Sequence, residues 1–432
     1  MNINFSNIGN RRAILTIGLY YFVMLLIALS WTNRDLVEPA KIFRYLFLFL
    51  FVLPLIKYPN YAPALITLFA TIRLFSITPY GYLPSQINLY FYVTLILFFP
   101  QSIYRSSTSE TNQALIALLL IVLFSNIINV VPESPELLEY NFLRLLLITI
   151  ILSKLLNNSN DIILMEWSFV IITFILSISG FIFYKDFVTN TVVQHDFERF
   201  YWDDPNYLGC VLSIGMIISF HNLIDFRSFN RISIIIFLAT FIFGLINLGL
   251  FASRGAFLTL AIPILYILYK KTNSFKSLSF TIIIIGILVF VFLSLFVFKS
   301  VINRFTEDSV TTGSGRTVIW RESLELFAHS DLTTLLFGGG SGFSYQICGK
   351  AFGRTIESPH NNYLEILYNY GVIGLTIFIS LLIHWFKCYS KNILAVSLIL
   401  VLVVSSLTLS PLMYLPFWSL IILIENQKLK QY

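Results

Sequence analysis

Four residues carry most of the chemistry this chain could perform: Arg199, Arg254, Arg316 and His360. His360 lies in Ser358-Pro359-His360-Asn361-Asn362-Tyr363-Leu364-Glu365, followed by Gly371-Val372-Ile373-Gly374, where a long polar stretch meets an apolar one. Ser358 reads as a helix cap and Pro359 suits a first turn, so His360 is expected inside that turn. The helix dipole is positive there and favours the neutral imidazole, which can act as a general base. Arg199 stands in Glu198-Arg199-Phe200-Tyr201-Trp202-Asp203-Asp204-Pro205-Asn206-Tyr207. Arg254 stands in Ala252-Ser253-Arg254-Gly255, and Arg316 follows Gly313-Ser314-Gly315. Guanidinium groups bind phosphate oxygens in bidentate fashion and stabilise charge as it develops, so three arginines with one neutral base suit a diphosphate leaving group. The base would deprotonate a sugar hydroxyl.

The elements that must position these residues are membrane-spanning helices. The 432 residues are 57% hydrophobic and 12% charged, and the apolar residues fall into separate runs of roughly 16 to 23. An all-α polytopic membrane protein with about 12–14 transmembrane helices is expected. The spans fall near 13–31, 42–57, 61–78, 87–103, 114–131, 141–156, 162–183, 206–224, 232–250, 255–269, 278–298, 361–386, 392–409 and 412–425. The first follows Arg11 and Arg12, lacks a small-residue cleavage site and reads as a retained helix.

Short loops set the orientation. With the N-terminus inside, one side collects Arg11, Arg12, Lys57, Arg105, Lys154, Arg227, Arg231, Lys270, Lys271, Lys387 and Lys391, while the opposite loop near 132–140 carries Glu133, Glu136 and Glu139. The net charge of +6 thus reflects topology, and no basic patch interleaved with aromatics argues for nucleic acid. Cys210, Cys348 and Cys388 have neither pairing nor metal spacing. The chain reads as one integral membrane domain, 1–432, with a medium outer loop at 184–205 and a long one at 299–359 that carries part of the site. Within the long loop, Thr317 to Phe327 reads as a short amphipathic helix lying along the membrane, with Val318, Leu324 and Phe327 on its apolar face. The run Gly338-Gly339-Gly340-Ser341-Gly342 reads as a turn, because no Lys-Ser or Lys-Thr follows it as in a phosphate-binding loop.

This topology puts Arg199, Arg254, Arg316 and His360 on the outer side. Each has a plainer reading: arginines at span ends snorkel to the interface, as expected for Arg44, Arg73 and Arg144, and a histidine there can be merely interfacial. A diphosphate at the outer face points to a polyprenyl carrier bearing sugars. A metal-dependent transferase would draw on Asp35 and Glu38, which lack an acidic partner of clear spacing. A flippase or other transporter would account for the spans but not for the long one-sided loop.

His360-Asn361 followed by Gly371-x-x-Gly374 resembles the signature of the superfamily that contains O-antigen ligases and Wzy-type O-antigen or capsule polymerases. The other matching pieces are Arg199 before Asp204-Pro205-Asn206-Tyr207, then Ser253-Arg254-Gly255, and Gly315-Arg316 with Trp320 and the glycines of 338–342. The resemblance implies a GT-C-like helical fold, no cofactor, and metal-independent inverting transfer of a glycan from undecaprenyl diphosphate at the periplasmic face of a bacterial inner membrane. By that resemblance His360 is the base and Arg199, Arg254 and Arg316 hold the diphosphate. The implied partners are the undecaprenyl-diphosphate-linked oligosaccharide, membrane lipid and a chain-length regulator protein. The wording around His360 and Asp204 looks more like polymerases than like ligases, which transfer to lipid A-core.

Overall fold

The computed structural model describes residues 54–74, 93–104, 110–129, 141–182, 205–224, 230–251, 253–271, 316–354 and 358–430. The expected spans at 13–31 and 278–298, and the loop at 184–204, lie outside them. The described helices of the bundle are α1 (Ala62–Leu74), α2 (Phe99–Tyr104), α3 (Glu110–Ile128), α4 (Asn141–Ser153), α5 (Ser159–Ile182), α6 (Pro205–Ile224), α7 (Arg231–Phe251) and α8 (Arg254–Lys271). Then come α9 (Arg316–Ala328), α10 (Leu332–Phe337), α11 (Phe343–Ala351), α12 (Asn362–Cys388), α13 (Ile393–Thr408) and α14 (Leu415–Asn426).

The protein is an all-α polytopic membrane protein. Among the described residues, five helices are long and apolar enough to cross a membrane: α3, α5, α6, α7 and α12. Their apolar character is not confined to one stripe, and burial follows position in the bundle instead. All of α14 is buried, and α13 is buried along most of its length, against α6 and α8. The peripheral helices leave large apolar side chains uncovered, such as Leu120 and Ile127 on α3 and Ile232 and Ile235 on α7. On a spanning helix such side chains face lipid.

Two features depart from a simple bundle. The stretch before α12 holds three helices where one was expected, and α9 to α11 form a cap with its own small core of Ile319, Phe327, Ile347, Cys348 and Tyr368. The buried face of α9 is Ile319, Ser323 and Phe327, at helical spacing, while Val318 and Leu324 are exposed. The expected face was therefore rotated: α9 turns toward the protein, because Tyr368 and α11 offer it a partner surface.

The second departure is a break in α12 at Gly371, whose φ of 69 and ψ of −173 are not helical. The chain bends so sharply that the Tyr363 ring lies 5.9 Å from Phe378, residues that a straight helix would hold roughly 22 Å apart along its axis. Carbonyls freed by the break need partners. The glycine run supplies them: Gly339 N–H donates to the Tyr368 carbonyl at 2.9 Å and Gly340 N–H to that of Asn369 at 3.0 Å. This backbone-to-backbone contact requires glycine, since a Cβ on Gly338 would stand 2.2 Å from the Asn369 carbonyl oxygen and one on Gly371 equally close to that of Leu336. The glycine run is thus a structural splint for the broken helix.

Candidate functional site

The site is built around the C-terminal end of α13. A helix end leaves carbonyls without intrahelical partners, and here three separate elements converge on them. Arg316, the first residue of α9, donates from Nη1 to the Thr408 carbonyl at 2.8 Å. Asn361 donates from Nδ2 to the Leu407 carbonyl at 3.4 Å. Gly255, next to Arg254, lies so close that a Cβ there would stand 2.8 Å from Thr408 Oγ1. Ser253 caps α8 by accepting from Ala256 N–H at 3.2 Å, which makes Arg254 the helix's first residue. Arg254, Arg316 and the His360 turn, 106 residues apart in sequence from first to last, thus meet at one end of the bundle. Arg199 lies outside the described residues.

The turn itself corrects one expectation. Ser358 does not cap α12, and His360 is not in its first turn. Asn361 is the cap, accepting from Tyr363 N–H at 3.0 Å and Leu364 N–H at 3.2 Å, and His360 sits just before it with a left-handed φ of 46. Ser358 Oγ instead accepts the His360 N–H at 3.2 Å, while Trp320 Nε1 donates to the Pro359 carbonyl at 2.7 Å. Serine and asparagine are equally good caps in sequence terms; the bond from Asn361 to α13 selects between them. A half-buried histidine in a sparsely populated backbone region marks a place where surrounding contacts impose the conformation.

Beneath this turn lies a buried polar layer. Glu365, 2% exposed, has no hydrogen-bond partner at either carboxyl oxygen among the described residues. Around it stand Tyr207, whose hydroxyl accepts the Ser410 N–H at 3.2 Å, and Tyr414, whose ring is 4.3 Å from that of Tyr207. Tyr345 of the cap faces the same carboxyl, and burial, with the charge of Glu365 added, pushes its phenol well above the usual tyrosine range. It stays a neutral hydroxyl at any physiological pH. Trp320, which in sequence is only part of the resemblance, and Glu365 gain a place in the site from the structure. Spacing could have flagged Trp320, four residues after Arg316 on one helical face; Glu365 carries no local signal of burial.

Residues 239–379 match the O-antigen ligase family. The match covers about a third of the chain and is consistent with the O-antigen ligase/polymerase superfamily, whose members are glycosyltransferase-like enzymes. A search of curated proteins found no match. The matched segment runs from within α7 to beyond the Gly371 break in α12 and contains Arg254, Arg316 and His360, whereas α13, onto which they converge, follows it. Among the described residues, no three His, Cys, Asp or Glu side chains group as metal ligands would. Asp35 and Glu38 lie outside those residues.

Proposed function

We propose that this protein polymerises lipid-linked oligosaccharide repeat units, transferring the growing glycan from undecaprenyl diphosphate to the terminal sugar of a new lipid-linked repeat unit. The observation that carries this reading is the convergence of Arg254, Arg316 and the His360 turn on the end of α13. His360 takes the proton from the acceptor hydroxyl, and the oxygen attacks the anomeric carbon of the donor glycan. The bond from that carbon to the phosphate oxygen breaks with inversion, and the electron pair leaves on the diphosphate. Arg254 and Arg316, joined by Arg199, hold that departing charge. No metal is needed when guanidinium groups do this work. The reaction takes place at the periplasmic face of the inner membrane, and a separate chain-length regulator sets the product's size.

The description of the matched family favours a second reading, transfer of the glycan to lipid A-core. Two experiments separate them. Purified protein in detergent, given only lipid-linked repeat units and a chelator, lengthens the glycan if it is a metal-independent polymerase and leaves it unchanged if it is a ligase. A deletion strain that attaches a single repeat unit to core supports polymerase; one that accumulates unligated polymer on its carrier supports ligase.

A further inference from the structure

We propose that Trp320 is a positioning residue for His360, holding the base in place through the peptide unit that precedes it. The inference rests on the reading of His360 as the base. The Pro359 carbonyl and the His360 N–H belong to one planar peptide unit, and that unit is gripped from both sides. Trp320 Nε1 donates to its carbonyl at 2.7 Å, and Ser358 Oγ accepts from its N–H at 3.2 Å. This grip holds one side of the His360 N–Cα bond, and the Asn361 cap of α12 holds the other, so that together they keep φ at 46, a conformation that a non-glycine residue keeps only when its surroundings impose it. Because the peptide bond between them is planar, the grip on the Pro359 carbonyl passes directly to the His360 nitrogen.

Trp320 is itself held. It lies on the face of α9 that carries Arg316, four residues earlier, and α9 is anchored at three points. Arg316 binds the Thr408 carbonyl, Ser323 Oγ shares a hydrogen bond of 2.9 Å with the Tyr368 hydroxyl, and the Phe327 ring packs 5.2 Å from that of Tyr368. An indole N–H can only donate and its ring turns about two bonds, so it makes a rigid pointer from α9 to the turn. One helix therefore carries both an arginine for the diphosphate and the indole that aligns the base.

The test is steady-state glycan extension by the full-length protein in detergent, at varied lipid-linked donor, with thermal unfolding of each variant. Trp320→Phe keeps an aromatic ring and removes the N–H. Its kcat should fall about 10- to 100-fold, the size of effect that a small misplacement of a reacting group produces, while donor KM stays within about twofold and the unfolding midpoint stays at the wild-type value. Ser358→Ala releases the same peptide unit from its other side and should show the same selective loss of kcat; it decides the matter if Trp320→Phe does not fold. Wild-type kcat in the folded variants, with His360→Ala inactive, overturns the inference and leaves the reading of His360 intact. A change confined to donor KM, or a loss of rate that tracks a loss of stability, overturns it as well. An active His360→Ala enzyme removes the reading itself and the inference with it.

Discussion

The two ends of the helical bundle differ in how they hold a buried acid, as Glu166 and Glu365 show. At the end remote from His360, Glu166 and Asp161 are both engaged. Glu166, inside α5, accepts from Gln427 Nε2 at 2.9 Å and from Lys430 Nζ at 2.6 Å. Asp161 accepts from Asn60 Nδ2 at 2.7 Å and from the Asn157 N–H at 2.8 Å. At the His360 end, Glu365 has no partner at either carboxyl oxygen among the described residues, and the same holds for Asn362 Nδ2, Asn369 Nδ2 and Ser344 Oγ. The helix there is broken at Gly371 and His360 holds a left-handed φ. Burying a polar group without a partner costs free energy that a fold tolerates where a ligand or a reaction requires it. One end is built for stability and the other for chemistry.

The largest effect that could break this comparison is at His360. His360→Ala should lower the extension rate by about 10² to 10⁴, the contribution of a positioned general base, and leave thermal unfolding unchanged, since a half-buried side chain in a turn adds little packing. A variant that extends glycan at the wild-type rate, or one that is inactive only because it unfolds, would remove the functional reading of this end. Second in size is the opposite end. Lys430→Met leaves Glu166 buried beside an apolar side chain and should cost about 3 kcal/mol of stability, the lower part of the range for breaking a buried ion pair. The double variant Glu166→Met, Lys430→Met should recover most of the loss. Activity per folded molecule should stay at the wild-type level throughout, which an assay normalised to folded protein can check.

Third is the arginine pair. Arg316→Lys and Arg254→Lys keep the charge and lose the planar fork, so each should cost about 1 to 3 kcal/mol of interaction with the donor diphosphate. Arg231→Lys, at the exposed start of α7 on the opposite end, is the control and should be silent. Extension rates at varied donor decide it: three variants that all match wild type would make Arg254 and Arg316 plain interfacial anchors.

Why some of this was legible in the sequence and some was not follows from the range of the interactions involved. The spans, the start of α6 at Pro205, the cap at Ser253 and the start of α9 are set by local hydropathy and capping chemistry, so they can be read directly. The convergence of Arg254 and Arg316 on one end follows from topology, because spans that alternate in direction sort their ends. The cap of α12 could not be read, since Ser358 and Asn361 both qualify and a contact with Leu407, 46 residues away, selects Asn361. The break at Gly371 depends on backbone contact with a glycine run more than 30 positions earlier, which hydropathy does not register. Glu365 is the acid in the first turn of α12. Its burial is imposed by α6 and the Ser410 turn, which are distant in sequence.

The smallest prediction applies one substitution at both ends and expects opposite signs. Glu365→Met replaces an unpartnered buried carboxyl with an apolar side chain of similar volume. It removes the desolvation cost and gives up only the approach of the Ser410 hydroxyl, whose geometry falls short of a good hydrogen bond. A gain of about 1 kcal/mol is expected, in line with apolar replacements of buried ionisable groups. Glu166→Met makes the same chemical change, yet it deprives Gln427 Nε2 and Lys430 Nζ of their acceptor and should destabilise. Unfolding midpoints of the two single variants in one detergent, under identical buffer, measure the difference without any activity assay. If Glu365→Met also lowers the midpoint, Glu365 is a structural acid like Glu166 and the contrast between the two ends fails. If stability rises while extension slows, the bare carboxyl is retained at a cost to the fold because the reaction uses the layer it occupies.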